Sequence, residues 1–379
     1  MNLLPAKQCL EEMVLLTEQN LPQVKVQESY TILQELGSGA YGHVLLAMHQ
    51  QQGTPMALKF IGKQDTELRG FLSEYCISLS LSAHPCIVGA LGIAFQTDHH
   101  YVFAQEIALS KDLLSILHPQ GGYGDYPFYR GLASVWLGVG VLHGCGSGTW
   151  GLFIMDSVGW GVSAVPGSSL LTQVGIPEVQ VKRCALQISS ALEFMGNKGL
   201  VHRDIKPENV LLFDPECRRV KLTDFGLSCP RGTAIEALPE NLPYTAPELC
   251  CLSSTDHLPA QPSLDAWALG VLLFCTLTGY FPWHTATDQH HRKFEKWHRS
   301  PRIHPCPPRW ERFTPEALEM LRGLLTPDSA QRSPPTTIMS CIKHPWLKPK
   351  EQGAVGGGRI HVPGRPVGSR ILLGRSWRC

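Results

Sequence analysis

Excess charge of either sign is missing from this sequence. Over 379 residues, 33 Lys and Arg stand against 32 Asp and Glu, and charged residues make up only 17%. A nucleic-acid or membrane-surface role needs a basic field over the whole chain, so both are disfavoured. Thirteen cysteines are scattered without paired metal-ligand spacing. Lys7, Glu11 and Glu12 occupy the place where a secretory signal needs an apolar run. An odd number of thiols without such a signal is expected to be reduced and cytoplasmic. Asn2 stands where N-myristoylation needs glycine, and Cys379 is not placed for prenylation. Long apolar runs are also missing. The stretch Trp267 to Trp283 has no charged residue, but it is shorter than the ~20 residues a bilayer needs. Gly270, Gly279 and Pro282 lie within it, and a buried core helix is the expectation.

The apolar share, 43%, supports a real core. Residues 1–28 read as an extension with one amphipathic stretch from Leu10 to Leu16. Short strands follow around a Gly-rich turn between Leu36 and Val44, then Met56 to Ile61. Leu68 to Ser82 has helical period, and Tyr101 to Glu106 is another strand. Pro177 to Lys198 is the clearest helix: Val181, Cys184, Ala185, Ile188, Leu192 and Met195 make one stripe, with Gly199 as its stop. Two short strands are expected at Val210–Phe213 and Val220–Thr223, then helices and loops from Leu264 to Leu347. The layout is α+β, a small β-rich lobe followed by a helical one.

Two stretches depart from that order. Residues 118–173 hold only three charged side chains, Asp125, Arg130 and Asp156, and sustain no period. Residues 350–379 are rich in glycine and arginine. Both compositions resemble translated non-coding sequence more than selected loops, which raises the expectation of a retained intron or a gene-model error.

The chemistry lies in four short stretches. Gly37-Ser38-Gly39-Ala40-Tyr41-Gly42-His43-Val44 joins two strands, where glycines let backbone N–H groups approach phosphates. A turn into a second strand, not a helix, disfavours a dinucleotide-binding oxidoreductase. Lys59 sits inside the apolar strand Ala57-Leu58-Lys59, which is costly unless anions receive its ammonium; Glu74 on the next helix is the natural carboxylate. His202-Arg203-Asp204-Ile205-Lys206-Pro207-Glu208-Asn209 puts a carboxylate, a cation and an amide on one loop. Phosphoryl transfer needs a group to orient the incoming hydroxyl, a cation for the moving charge and metal ligands. Asp224-Phe225-Gly226 adds a second carboxylate beyond a hairpin.

This set, over residues 30–117 and 174–347, resembles the signature of the eukaryotic protein kinases, which implies their bilobal fold and an ATP-dependent phosphotransferase. By that resemblance the kinase domain is 29–349, with an N-lobe of 29–106 and a C-lobe of 109–349 interrupted by 118–173. The resemblance implies ATP held by Leu36, Gly37, Ser38, Gly39, Ala40, Tyr41, Gly42, Val44, Ala57, Lys59, Gln105, Glu106, Ala108 and Asp112. It makes Asp204 the catalytic carboxylate, with Lys206, Lys59 and Glu74 assisting, and Asn209 and Asp224 the ligands of Mg²⁺. Glu248, closing Ala246-Pro247-Glu248, implies an ion pair with Arg332, and Asp265 the start of a central helix. A lysine two residues after Asp204 resembles the serine/threonine class. Val181-Lys182-Arg183-Cys184, Asn209 to Leu222, Leu242 to Glu248 and Thr278 to Trp283 are similar to the SH3-domain-binding kinase family. An SH3 partner would need a Pro-rich helix; Pro259…Pro262, Pro305…Pro308-Arg309 and Pro363…Pro366 have the spacing.

One departure bears on activity. Glu240-Asn241 stands where this class carries Gly-Thr, which keeps open a second reading, a weakly catalytic scaffold or a defective isoform that binds ATP or a partner. Arg203 suggests a receptor for an activation-segment phosphate, with Ser228 and Thr233 as acceptors and Thr245 structural. His284, His290, His291, His298 and His304 lack ligand spacing and read as a solvated, weakly basic helix and loop.

Overall fold

The computed structural model describes residues 6–39, 42–108, 112–117, 175–236, 243–253 and 255–349. Ala40, Tyr41, Glu240-Asn241, the 118–173 stretch, Pro363…Pro366 and the tail from 350 lie outside these residues. The compact unit runs to Leu347.

Its first part is a five-stranded antiparallel sheet in the order β1-β2-β3-β5-β4. The strands are β1 (Tyr30–Gly39), β2 (Gly42–His49), β3 (Pro55–Gly62), β4 (Ala90–Gln96) and β5 (His100–Gln105). Register follows side-chain alternation. Val44 pairs with Lys59 across β2 and β3, while Leu58 and Phe60 turn to the opposite face and join Tyr30, Phe95 and Val102 in the sheet's core.

Helices α1 (Ala6–Gln19), α2 (Val26–Ser29) and α3 (Leu68–Leu81) belong to the same lobe. The amphipathic stretch expected from Leu10 to Leu16 is longer, and it is not a free extension. Val14, only 5% exposed, packs with Phe71, Leu72, Tyr75 and Cys76 of α3. The chain after α1 is tied to β4, where Val24 N donates to Gln96 O at 2.9 Å and Gln96 N to Pro22 O at 2.9 Å.

The second part is helical. Helix α4 (Glu178–Asn197) buries Val181, Cys184, Ala185, Ile188, Leu192 and Met195, the stripe read from the sequence. Short strands β6 (Leu200–Val201), β7 (Val210–Leu212), β8 (Val220–Leu222) and β9 (Cys229–Pro230) frame the loops that carry Asp204 and Asp224; β7 pairs with β8, and β6 with β9. Strands β10 (Ala234–Ile235) and β11 (Leu258–Pro259) form another small pair on either side of α5 (Pro247–Cys250). Helix α6 (Ser263–Thr278) is buried at every residue from Leu264 to Thr278 and ends on Gly279 at φ 75°. It is the core helix behind the charge-free stretch, and no helix among the described residues is long and apolar enough to cross a membrane. Helices α7 (Gln289–Arg299), α8 (Pro315–Leu324) and α9 (Ile338–Cys341) complete the lobe.

Candidate active site

The cleft begins at the hairpin of β1 and β2, where Gly37 pairs with Val44 and Gly39 with Gly42. Gly42 has φ 153°, and a Cβ there would stand 1.9 Å from Phe60 O. The last glycine of the turn is therefore a steric necessity. Leu36 and Ser38 lie on β1 beside it, and Ala57 is buried on β3.

Three carboxyl and amine groups from distant segments converge beneath this hairpin. Lys59 Nζ lies 2.5 Å from Glu74 Oε1 on α3 and 3.1 Å from Asp224 Oδ1. Burial alone would lower the Lys59 ammonium, but the carboxylates of Glu74 and Asp224 outweigh it and hold the group above its ordinary range. Burial pushes the Glu74 carboxyl up, and the ammonium opposes that push. Against its own burial, Asp224 is held below the usual carboxylate range by Lys59. Asp224 adopts φ 67°, a left-handed conformation that a non-glycine residue takes at a cost of about 1–3 kcal/mol. Phe225 behind it is buried against the His202 ring at 5.2 Å. A Cβ at Gly226 would crowd Glu74 Oε2 at 3.3 Å.

Opposite this triad stands the loop after β6. Asp204 Oδ2 receives Lys206 Nζ at 2.7 Å and Asn209 Nδ2 at 2.8 Å, and Asn209 Nδ2 also reaches Asp204 O at 2.8 Å. Among the described residues no donor reaches Asn209 Oδ1 or Asp224 Oδ2. Burial alone would depress the Lys206 ammonium, but Asp204 raises it.

The loop is held from below by Asp265, the first carboxylate of α6, whose two oxygens accept His202 N and Arg203 N, each at 2.8 Å. Burial raises the Asp265 carboxyl against these donors, while burial lowers the His202 imidazole against the nearby carboxylates. Arg203 itself sits at φ 71°. Its Nη1 donates to Leu227 O at 3.0 Å. Ser228, one of the acceptors suggested by the sequence, is buried and donates to His202 O at 3.2 Å; Thr233 donates to Pro230 O at 2.7 Å. Neither is a free hydroxyl, and Thr245 is buried.

At the back of the cleft Gln105 ends β5 beside Ala57, and Glu106 and Ala108 follow. The Glu106 carboxylate is engaged by two donors. Its Oε1 accepts Gly89 N at 2.7 Å and Lys221 Nζ at 2.5 Å. The Asp112 carboxylate accepts Ser115 N, within the turn Leu114–Ile116, at 2.8 Å. Arg332 grips Glu248 through two bonds of 2.7 and 2.8 Å, with its own side chain 0% exposed. Among the described residues no group of three His, Cys, Asp or Glu side chains is placed to hold a metal ion. The histidines of α7 are not all solvated, since His291 is buried among Trp267, Trp283 and Phe294.

Sequence reasoning missed the roles of Asp265, Lys221 and His202 in holding this arrangement. A lysine inside the apolar strand Val220-Lys221-Leu222 was a signal of the same kind that marked Lys59.

Comparison with known proteins agrees with the geometry. A model of the protein kinase domain matches residues 30–147 and 162–347. It therefore continues into the irregular stretch from both sides and leaves 148–161 unmatched. Serine/threonine-protein kinase SBK1 of Danio rerio is 40% identical over 344 residues, covering 90% of this chain and 75% of that protein. Serine/threonine-protein kinase SBK2 of Homo sapiens is 41% identical over 358 residues, covering 93% and 87%. Serine/threonine-protein kinase meng-po of Drosophila melanogaster is 29% identical over 338 residues, covering 88% and 62%. A cleft built from a Gly-rich hairpin, a strand lysine held by two carboxylates and an aspartate–lysine–asparagine loop, with this likeness over most of its length, places the chain in the protein kinase family, among the serine/threonine-protein kinases that include SBK1 and SBK2.

Proposed function

We propose that the chain transfers the γ-phosphoryl group of Mg·ATP to a serine or threonine hydroxyl of a protein substrate. The observation that carries this reading is the convergence of Lys59, Glu74 and Asp224 facing Asp204, Lys206 and Asn209. The donor set fits the cofactor. Asn209 Oδ1 and Asp224 Oδ2 are hard oxygen donors without partners, as Mg²⁺ prefers, and the Gly37–Gly42 hairpin has no side chain at Gly42 to block phosphate. When bound, Mg·ATP supplies the phosphoryl group and the divalent charge that offsets its oxygens.

The chain's own residues divide the remaining work. Lys59, kept charged by its two carboxylates, holds the α/β-phosphate end. Asp204 accepts the proton of the incoming hydroxyl, and Lys206 neutralises charge at the γ-phosphoryl oxygens. Leu36, Val44, Ala57, Gln105 and the main chain of Glu106 to Ala108 wall the adenine side. A cytoplasmic location fits the thiols, since every cysteine among the described residues is unpaired. Of the three PxxP stretches, Pro259 is paired in β11, and Pro308 begins a turn whose Arg309 donates to Phe281 O at 2.9 Å. That leaves Pro363…Pro366 as the candidate for an SH3 partner.

The test is phosphotransfer from Mg·ATP to a generic protein substrate by wild type and Asp204→Asn. Loss of a catalytic base costs ~10²–10⁴-fold, so transfer is expected to collapse in the variant while ATP binding persists. Transfer that survives Asp204→Asn, or its absence from wild type, would overturn the reading.

A further inference from the structure

Helix α7 presents two faces of opposite character. His291, Phe294 and Trp297 are buried, with Phe294 and Trp310 stacked at 4.6 Å and His291 edge-on to Trp283 at 5.0 Å. The other face carries Arg292, Lys293, Lys296 and Arg299, all exposed, followed by exposed Arg302 and by Ile303, which is 77% exposed. Glu295 is the only carboxylate among Gln289 to Ile303, and it pairs with Arg299 at 2.8 Å. Arg292, Lys293, Lys296 and Arg302 make no ion pair or side-chain hydrogen bond among the described residues. The chain as a whole carries a net charge of only +1, so this is a local concentration of charge.

Helix stability does not account for it. Cations in the last turn complement the helix dipole, but Arg292 and Lys293 lie in the first half, where the dipole disfavours them. Like charges at Arg292 and Lys296, four residues apart, also repel. An exposed isoleucine beside them adds nothing to the fold.

We propose that this face of α7, with Arg302 and Ile303, is a docking surface for an acidic segment of a partner protein that also carries an apolar side chain. A lipid surface fits less well, because interfacial helices turn their apolar side to the acyl chains, and here that side is occupied by Trp283 and Trp310. The chain's own C-terminal sequence is excluded by sign, since residues 351–379 carry five arginines and one glutamate. The surface is also coupled to the cleft. Trp283 Nε1 donates to Pro243 O at 3.1 Å, and Tyr244 and Thr245, next in the chain, line the hollow beside Asp204. A partner held on α7 approaches the phosphoacceptor end from that wall, and this last step rests on the kinase reading.

The test uses the full chain and a fluorescent, short Glu/Asp-rich peptide with one leucine. Binding is expected to weaken by roughly tenfold or more in Arg292→Glu, Lys293→Glu, Lys296→Glu, and to weaken with salt. A control of equal charge change, Lys25→Glu, Arg69→Glu, Lys198→Glu, is expected to bind as wild type. No peptide binding, equal loss in both triple variants, or capture by phosphatidylserine vesicles in place of the peptide would each overturn the proposal. With a protein substrate bearing the same acidic segment, KM is expected to rise in the α7 variant while kcat stays unchanged. Peptide binding without phosphotransfer by any form would sink the kinase reading and leave the docking surface standing.

Discussion

Glu106 and Lys221 lock the back of the cleft: the carboxylate Oε1 lies 2.5 Å from the ammonium and also accepts the Gly89 N–H. The two side chains are 28% and 13% exposed, so neither is fully solvated. This contact ties the segment joining the lobes to β8 through Lys221 and to Gly89, the residue before β4.

Lys221→Met is expected to leave the Glu106 carboxylate without its cation. A lost hydrogen bond between charged groups costs about 1.5–3 kcal/mol, and partial exposure puts the effect at the lower end. Thermal unfolding would show the loss of stability. On the proposed reading, steady-state kinetics should show KM for ATP rising more than kcat falls, because the segment after β5 is loosened and the loop of Asp204 is untouched. An unchanged KM for ATP would mean the pair is only a surface contact.

Helix α1 is expected to support catalysis through α3. Val14 packs on Phe71 and Leu72, and Glu74 lies in the next turn. Val14→Asp places a carboxylate among apolar side chains and should cost at least the ~1.5–3 kcal/mol of the buried valine. Hydrogen exchange across 71–76 is expected to quicken and phosphotransfer to fall. If Val14→Asp speeds exchange in α1 alone, α1 does not hold α3.

The Arg332–Glu248 pair is expected to be the most sensitive ionic contact in the second lobe. Arg332 is buried, bonds both Glu248 oxygens, donates to Thr326 O and Ser263 O at 2.9 and 2.8 Å, and lies over the Trp267 ring. Removing one partner of a buried pair costs about 3–5 kcal/mol. Arg332→Met is therefore expected to lower the denaturation midpoint strongly. Adding Glu248→Gln should cost much less than it does alone, since the orphaned charge is then gone.

Glu178 predicts an acid limb in stability. Its carboxylate accepts Trp346 N at 3.0 Å and Leu347 N at 2.9 Å, with Lys182 Nζ at 2.8 Å. Burial would raise this group, but the Lys182 and backbone bonds outweigh it and leave the carboxyl below its ordinary 4.5. A depressed carboxyl contributes stability that is fully present above pH 4.5 and is lost as pH falls through the lower folded value. Denaturation followed from pH 6 downward is expected to be less steep for Glu178→Gln than for wild type. Identical slopes would show that Glu178 does not bind its protons differently on folding.

Much of the fold was legible because its periods are local. The stripe of α4, the charge-free α6 and the alternation of β2, β3 and β5 can all be read within one element. Strand β4 was not read. It carries Gly92 at φ 73°, and its register with β5 shifts between Ala90 and Ala94, so its alternation is broken where it would be sought. Helix α1 reads as amphipathic, but an amphipathic face does not name what covers it.

The residues by themselves determined the candidate chemistry. Orienting a hydroxyl, neutralising a phosphoryl group and holding a cation demand few residue types, and Asp204, Lys206 and Asn209 lie within one loop. A lysine inside an apolar strand announces an anion nearby. The next helix offers Glu74 as that anion, and only the tertiary structure added the second, Asp224. Lys59 meets Glu74 and Asp224 across 15 and 165 residues of chain, Asp265 reaches back to the His202 and Arg203 main chain, and Glu106 meets Lys221. Burial makes an unpaired charge costly, so each of these side chains takes the partner that folding places beside it, and sequence spacing does not encode that neighbour.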